Sequence, residues 1–294
     1  LTSPSALAWL DALPGIQANE PLSRHTTYRI GGPAQRYLEV DSHQQLADLL
    51  AGCAGHGIPV LAIGNGSNLL VADAGVEGLV VRYTDTSVGV EGELLRASGG
   101  ARMVKTAQAA QGASLTGMEW ALGIPGTVGG SAYNNAGCFG SDMAATVDAV
   151  EGIDARGAAG RWTNHECGFR YRGSAFRDGH LVGALVTAVT FRLRAGTAPA
   201  IKARMDEIQQ ERRRTQPVSG RSTGSVFKNP AGPSWKREEG PRTAGQLIEA
   251  AGLKGFMIGG AQVSPMHANY FVNTGSATAA DVRRLIEHVQ RIVQ

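Results

Sequence analysis

Two uncharged, glycine-rich stretches constrain this chain more than any other feature of its sequence. The first is Gly64-Asn65-Gly66-Ser67-Asn68-Leu69-Leu70. It follows the apolar run Ile58-Pro59-Val60-Leu61-Ala62-Ile63, so the order reads strand, glycine turn, apolar segment. The second is Gly123-Ile124-Pro125-Gly126-Thr127-Val128-Gly129-Gly130-Ser131-Ala132-Tyr133-Asn134-Asn135-Ala136-Gly137, which alternates glycine with small and amide side chains. Glycine permits backbone angles that turn several N–H groups toward one point, and such a concavity binds anions. Asn and Ser add side-chain donors and acceptors. Two such loops suit one extended diphosphate ligand clasped from both sides. A plain connection between strands suits the first stretch as well. Neither stretch is the G-x-G-x-x-G fingerprint of a dinucleotide fold or a Walker loop, so the anion site rests on chemistry rather than on a motif.

The chain has 294 residues, enough for two domains or three small ones. Hydrophobic residues make up 43% and charged residues 18%, a globular balance rather than a disordered one. The formal net charge is only +3, with no dense Lys/Arg run interleaved with aromatics, which argues against a nucleic-acid partner. Arg212-Arg213-Arg214 reads as a solvated helix end. Cys53, Cys138 and Cys167 are odd in number and lack C-x-x-C spacing, so no disulfide framework or metal site is expected and a reducing, cytoplasmic setting fits. No run reaches the ~18 apolar residues of a membrane span, and no signal peptide is visible. The first residue is Leu1 rather than Met, so further residues beyond the ends are expected.

Along the chain the pattern is α+β. Ser5–Leu10 reads as a short helix, and Ser42 with Gln45 resembles a capping box ahead of Leu46, Leu49 and Leu50 at helical spacing. Tyr37–Val40, Val60–Ile63 and Leu79–Val81 read as strands. Val88–Val90 and Leu94–Ala97 suggest a hairpin, Ala101–Ala110 a helix, and Val147–Asp154, Gly160–Thr163 and Leu181–Leu193 further strands. Thr197-Ala198-Pro199 looks like a boundary before a helix over Ala200–Arg214. Arg242–Gly252 is helical, Gly260–Ser264 and Tyr270–Asn273 are strands, and Thr278 caps a final helix with Val282, Leu285, Ile286, Val289, Ile292 and Val293 on one stripe. The expected organisation is three units, over residues 1–84, 85–197 and 198–294. The four tryptophans, Trp9, Trp120, Trp162 and Trp235, are expected in the core or at its rim, with Met103, Met118 and Met143.

Chemistry concentrates in two further segments. In Gly224-Ser225-Val226-Phe227-Lys228-Asn229-Pro230, a serine nucleophile would need a neighbouring base, and neither a G-x-S-x-G elbow nor a nearby histidine is present. The hydroxyl suits proton donation as well as attack, and a structural turn remains open. Phe169-Arg170-Tyr171-Arg172-Gly173-Ser174-Ala175-Phe176-Arg177 mixes arginines, which bind carboxylate or phosphate bidentately, with aromatics that shield such a pair. A solvated surface loop is the alternative. His267 has no second histidine at ligand spacing and reads as a structural polar residue.

Six segments, in order, resemble the UDP-N-acetylenolpyruvoylglucosamine reductase (MurB) family. They are Thr27-Tyr28-Arg29-Ile30-Gly31-Gly32-Pro33-Ala34, both glycine stretches, Tyr171-Arg172-Gly173-Ser174-Ala175-Phe176, the Ser225 segment and Gly259-Gly260-Ala261-Gln262-Val263-Ser264. The resemblance implies an FAD-binding module in two subdomains, of the vanillyl-alcohol-oxidase-like type, followed by a C-terminal substrate domain. The short segment from Phe176 to Ser225 resembles the type II branch. The implied reaction passes a hydride from NADPH to FAD, then to the terminal methylene of UDP-N-acetylglucosamine enolpyruvate, in peptidoglycan precursor synthesis. Implied FAD contacts are Gly64, Asn65, Gly66, Ser67, Asn68 and Leu69, with Pro125, Gly126, Thr127, Gly129, Gly130, Asn134, Ala136 and Gly137. The implied catalytic pair is Arg172, stabilising charge on the carboxylate, and Ser225, delivering the proton. Tyr171, Arg172, Lys228 and Asn229 are implied substrate contacts. The family also places a catalytic glutamate shortly after the last helix. Glu287 lies within that helix and does not match, so this residue is expected beyond Gln294. A monomer is the expectation. The alternatives are another FAD oxidoreductase of this fold, acting on a small hydroxy acid or alcohol, and a flavin-binding homologue impaired in catalysis.

Overall fold

A computed structural model describes residues 2–217, 220–230, 232 and 242–294. It separates into two compact units, each assembled from chain segments that are far apart in sequence. Unit one comprises Leu1–Asn19, Gln35–Gly64 and Glu77–Gln209; unit two comprises Glu20–Ala34, Asn65–Val76 and Gln210–Gln294. The α+β class expected from the sequence is the one observed, with helices and mainly antiparallel sheets in both.

Unit one opens with α1 (Pro4–Asp11), where Ser3 caps by accepting from the Ala6 N–H and Pro4 occupies the first turn. Strands β1 (Gln17–Pro21) and β2 (Pro33–Val40) precede α2 (His43–Gly55). Only half of the expected capping box forms at α2. The Ser42 hydroxyl accepts from the Gln45 N–H at 3.5 Å, while the Gln45 side chain lies exposed, where water competes for its amide. Strands β3 (Val60–Ile63) and β4 (Val76–Tyr83) pair in parallel, and the sheet order is β1-β2-β4-β3. Leu46, Leu49 and Leu50 of α2 pack with Leu79 and Val81 of β4 and with Leu10 in one core. The i, i+3, i+4 spacing of the α2 leucines puts them on one face.

The rest of unit one is built on a five-stranded sheet, β11-β10-β12-β6-β5. Its hairpin β5 (Val88–Glu91) and β6 (Leu94–Ser98) leads to α3 (Met103–Gly112). That helix begins two residues later than expected, because Arg102 keeps an extended backbone as its N-cap and pairs with Thr127. The strand β7 (Leu115–Thr116) and a 3₁₀ turn over Glu119–Gly123 precede α4 (Val128–Asn134). Next come the small hairpin β8 (Gly137–Cys138) and β9 (Ser141–Asp142), then α5 (Met143–Thr146), β10 (Val147–Ile153), β11 (Ala159–Thr163) and α6 (Ala175–Asp178). The central strand β12 (Leu185–Arg192) buries six consecutive residues. It starts at Leu185 rather than at Leu181. The Leu181 N–H goes to the Ala175 carbonyl at the start of α6 and the Ala184 N–H to the Leu181 carbonyl instead, and Val182 is 64% exposed. Strand β13 (Arg194–Ala195) leads into α7 (Ala198–Thr215). Pro199 sits in its first turn, where a missing N–H leaves no intrahelical bond unmade. Trp120 is buried in the second core of this unit and Trp162 packs against it; Trp9 packs against the α2 core. Trp235 lies outside the described residues.

Unit two holds α8 (Ala244–Ala250), the antiparallel sheet of β14 (Met257–Ile258), β15 (Ala261–Val263) and β16 (Phe271–Asn273), and α9 (Ala279–Val293). Both helices carry full capping boxes, Thr243 with Gln246 and Thr278 with Asp281. Val282, Leu285 and Val289 of α9 are buried against Ile248, Val263, Phe271, Tyr28 and Ile30. Ile292, expected on the same stripe, is 49% exposed in the last turn. The first N–H groups of α9, from Ala279 and Ala280, donate to the Asp73 carboxylate at 2.8 and 3.0 Å. A carboxylate there satisfies orphan donors and opposes the helix dipole. Among the described residues, no helix is long and apolar enough to cross a membrane.

Candidate active site

The first glycine stretch leaves the end of β3 through Gly64, a residue with no room for a side chain. A Cβ there would lie 2.4 Å from Thr127 Oγ1, so the first residue of one stretch presses directly on the second stretch. Gly66 has φ +58°, and a Cβ would lie 2.1 Å from the His25 carbonyl oxygen. Its own carbonyl accepts from the Thr27 N–H at 3.2 Å. Asn65, Ser67 and Leu69 are half-buried in the turn that follows, and Asn68 is exposed.

The second stretch is not a loop throughout: residues 128–134 form α4. Glycine is a poor helix former, yet Thr127 supplies an N-cap whose Oγ1 accepts from the Gly130 N–H at 3.3 Å. The Val128 N–H donates to the Ala101 carbonyl at 2.8 Å, and the Gly129 N–H to the Gly99 carbonyl at 2.9 Å. Those N–H groups therefore hold the helix on the β6–α3 connection. At Gly129 the missing side chain permits close packing, since a Cβ would stand 3.0 Å from the Val186 carbonyl oxygen. Thr127 and Gly137 are buried, Gly126, Gly129, Asn134 and Ala136 are half-buried, and Pro125 and Gly130 are exposed. No side chain between residues 123 and 137 is charged, and apart from half-buried Ile124 and Tyr133, which is 40% exposed, the accessible edge carries backbone and small groups. An anionic diphosphate fits the glycine-lined part of that edge, which offers no negative charge against it.

At the C-terminal end of α4 the backbone turns left-handed at Asn135, φ 44° and ψ 60°. Its buried amide donates to the Arg170 carbonyl at 3.0 Å and accepts from the Ala144 N–H at 3.0 Å. The Arg172 guanidinium donates to the Gly137 carbonyl at 2.8 Å and to the Asn135 carbonyl at 3.5 Å. Ser174 Oγ donates to the Tyr133 carbonyl, and Arg177 donates to Asn134 Oδ1. Residues 169–177 are therefore not a free surface loop but are stitched onto the second glycine stretch. Arg172 has φ +56°, an αL conformation that a non-glycine residue adopts at a cost of roughly 1–2 kcal/mol. Its side chain crosses the Tyr171 ring at 5.6 Å. Among the described residues no carboxylate pairs with Arg172, whereas neighbouring Arg170 is neutralised by Asp178. An oriented guanidinium with uncompensated charge is a receptor for a carboxylate.

In unit two, Ser225 is exposed and bridges backbone with Tyr270. Gly224 before it has φ +82°. Lys228 is exposed, and Asn229 Oδ1 accepts from the Ala244 N–H at 3.1 Å, tying this segment to the start of α8. Sequence reasoning missed Asn269, which is 3% exposed and holds Val226 and Phe227 by three hydrogen bonds. An Asn two residues after a histidine, ahead of a strand, was the only local signal. His267 Nδ1 accepts from the Asn269 N–H at 3.2 Å, and burial lowers the histidine's pKa, which favours the neutral ring that this bond needs. Burial likewise pushes the Cys53 and Cys167 thiols up to about 11 and about 12, while Cys138 donates to the Trp120 carbonyl. Glu287 lies on α9 and pairs with Arg283 at 3.7 Å.

Comparison with known proteins gives two family matches. Residues 216–294 match the UDP-N-acetylenolpyruvoylglucosamine reductase C-terminal domain, and residues 34–164 match an FAD binding domain. The chain is 40% identical over 280 residues to UDP-N-acetylenolpyruvoylglucosamine reductase of Caldanaerobacter subterraneus, covering 95% of this chain and 89% of that one. It is 43% identical over 275 residues to the protein of the same name in Heliobacterium modesticaldum, covering 92% and 83%. The crystal structure of the reductase (MurB) from Thermus caldophilus superposes with a TM-score of 0.79 at 35% identity, over 92% of this chain and 93% of that one. Phl p 4.0202, a glucose dehydrogenase, shares the fold with a TM-score of 0.51 at 15% identity, over 66% of this chain and 44% of that one.

Proposed function

The chain belongs to the UDP-N-acetylenolpyruvoylglucosamine reductase family, and from that premise we propose that it reduces UDP-N-acetylglucosamine enolpyruvate to UDP-N-acetylmuramate. NADPH is the reductant, FAD the bound cofactor, and the cytoplasmic supply of peptidoglycan precursor the purpose. Residues 1–84 and 85–197 act as the two flavin subdomains and residues 198–294 as the substrate domain. The observation that carries this reading is Arg172, aimed and unneutralised beside an uncharged glycine edge.

When bound, FAD supplies the hydride chemistry. The chain supplies placement and charge. Gly64, Asn65, Gly66, Ser67, Asn68 and Leu69 are cofactor contacts in this reading, as are the accessible Pro125, Gly126, Gly129, Gly130 and Asn134. Thr127, Ala136 and Gly137 are cofactor contacts in the same reading, and Thr127 also caps α4. Arg172 binds the substrate carboxylate and stabilises the negative charge that develops beside it. Its bonds to the Asn135 and Gly137 carbonyls fix the guanidinium plane beforehand, and such preorganised charge is commonly the largest catalytic term. Tyr171, Lys228 and Asn229 contact the substrate, and the Ser225 hydroxyl gives the proton to the carbanionic carbon.

The test is anaerobic visible absorbance of the flavin-loaded protein. Addition of NADPH bleaches the flavin, and addition of the enolpyruvyl sugar nucleotide restores the oxidised spectrum. Bleaching without recovery, in a protein that carries the glutamate expected beyond Gln294, would refute the substrate, and absence of a flavin spectrum after FAD is supplied would refute the cofactor.

A further inference from the structure

The segment that carries Ser225 has no helix or strand of its own. Ser225 bridges Tyr270, the residue before β16, and four residues upstream Arg221 bridges Asn273 of that strand. The Ser225 hydroxyl has no hydrogen-bond partner among the described residues, so the course of the backbone sets where its Cβ stands and from which point the hydroxyl reaches out. That course is fixed immediately after Ser225. The Val226 N–H donates to the Asn269 carbonyl at 2.8 Å. The Phe227 N–H donates to Asn269 Oδ1 at 2.9 Å, and Asn269 Nδ2 donates to the Phe227 carbonyl at 2.9 Å. The side-chain amide of Asn269 thus makes with Phe227 the pair of bonds that a neighbouring strand would make.

Asn269 is itself held. Its N–H donates to His267 Nδ1, and the Tyr270 N–H donates to the His267 carbonyl at 2.9 Å. The Phe227 ring packs edge-on against Phe271 at 5.9 Å between centroids. We infer that Asn269 is a positioning residue for proton delivery by Ser225; this rests on the reading of Ser225 as the proton donor. The asparagine amide supplies an acceptor and a donor at the Phe227 spacing at every working pH. Leucine has the shape without either bond. An ionised aspartate keeps the acceptor but turns a negative charge on the Phe227 carbonyl, and a protonated aspartate restores the donor.

The test uses the full chain loaded with FAD and follows both half-reactions under anaerobic conditions. Asn269→Leu is expected to leave bleaching by NADPH at the parent rate. Reoxidation by the enolpyruvyl sugar nucleotide is expected to slow roughly 10²-fold, the scale of a displacement of about 1 Å in a reacting group. Its solvent deuterium isotope effect should rise, because the misplaced proton step becomes limiting. In Asn269→Asp the reoxidation rate, relative to the parent at each pH, should climb as pH falls and the carboxyl gains its proton. Reoxidation of Asn269→Leu within about twofold of the parent, with an unchanged isotope effect, would overturn the inference. Amide hydrogen exchange on the parent decides the clamp even where a variant folds poorly. Slow exchange at Val226 and Phe227 is expected, and exchange at the rate of free amides would overturn it. A parent that carries the glutamate expected beyond Gln294, and bleaches but does not reoxidise, would instead overturn the proposed substrate, with the exchange result still standing on its own.

Discussion

Replacing Gly64 with alanine places a methyl group 2.4 Å from Thr127 Oγ1, 3.3 Å from its Cγ2 and 3.4 Å from its Cβ. Gly64 does not have a positive φ, so the new side chain meets no backbone penalty, and the whole effect lies in the Thr127 contact. Thr127 is buried and β-branched, with a stiff χ1, so rotating the hydroxyl away removes its bond to the Gly130 N–H. Loss of an N-cap costs about 1 kcal/mol, and the displaced side chain adds a further fraction, giving ~1–2 kcal/mol for Gly64→Ala before the roughly 0.4–1 kcal/mol that any alanine at 64 returns through the unfolded chain. Thr127→Ala alone costs about 1 kcal/mol. In the double variant the hydroxyl is gone, and the nearest remaining Thr127 atom, Cβ at 3.4 Å, is in ordinary contact. Alanine at 64 then restricts the unfolded chain, which contributes roughly 0.4–1 kcal/mol of stability. The double variant is therefore expected to match Thr127→Ala or slightly exceed it. Urea unfolding of all four proteins measures this as a coupling of about 1 kcal/mol or more. Costs that add to within ~0.5 kcal/mol would refute the close approach of the two stretches.

Three other outcomes are expected. Ser225→Ala should leave flavin bleaching by NADPH intact and slow reoxidation by the enolpyruvyl sugar; two half-reactions at full speed would remove Ser225 from the mechanism. Arg172→Lys loses the planar fork held by the Gly137 and Asn135 carbonyls and should lower kcat/KM for the sugar nucleotide by about 10²–10³-fold, with NADPH bleaching unchanged in stopped-flow traces. Asp281 accepts from the Thr278 N–H, pairs with Arg284 and accepts from the Gly260 N–H, which hold its carboxyl at about 2, below the ordinary 3.8. A depressed carboxyl stabilises the fold above its unfolded value, so this contribution, roughly 2 kcal/mol, is full above pH 3.8 and disappears as pH falls toward about 2. Urea midpoints of Asp281→Asn should then fall less steeply than those of the parent over that window, and parallel curves would contradict the assignment.

Much of this architecture is legible in the sequence because its signals are local. The α2 leucines repeat at helical spacing, β12 is a continuous apolar run, and Thr278 with Asp281 three residues on is a local cap. Where reading failed, the deciding partner was distant. Glycine-rich residues 128–134 carry weak helix propensity, and α4 forms because Thr127 caps it and the Gly99 and Ala101 carbonyls receive its first N–H groups. The start of β12 moves to Leu185 because the Ala175 carbonyl of α6 and the Leu181 carbonyl claim the Leu181 and Ala184 N–H groups. Arg172 and Ser225 stood out by residue type and by resemblance. The groups that aim them, the Gly137 carbonyl 35 residues away and Asn269 more than 40 residues from Val226 and Phe227, have no spacing that a sequence window reveals.

The bonds from Asp73 to the start of α9 bear on how the second unit comes into being. Its segments 20–34 and 65–76 leave the ribosome well before residues 279–294 are made. Until then Tyr28 and Ile30 lack the face of α9 that buries them, and Asp73 lacks the N–H groups it caps. The unit therefore closes late in synthesis, and a fragment beginning at residue 198 would carry α8, α9 and the three strands without the residues that complete their core. Its folding is expected to depend on a supply of the missing segments in trans, as a split protein depends on its complement.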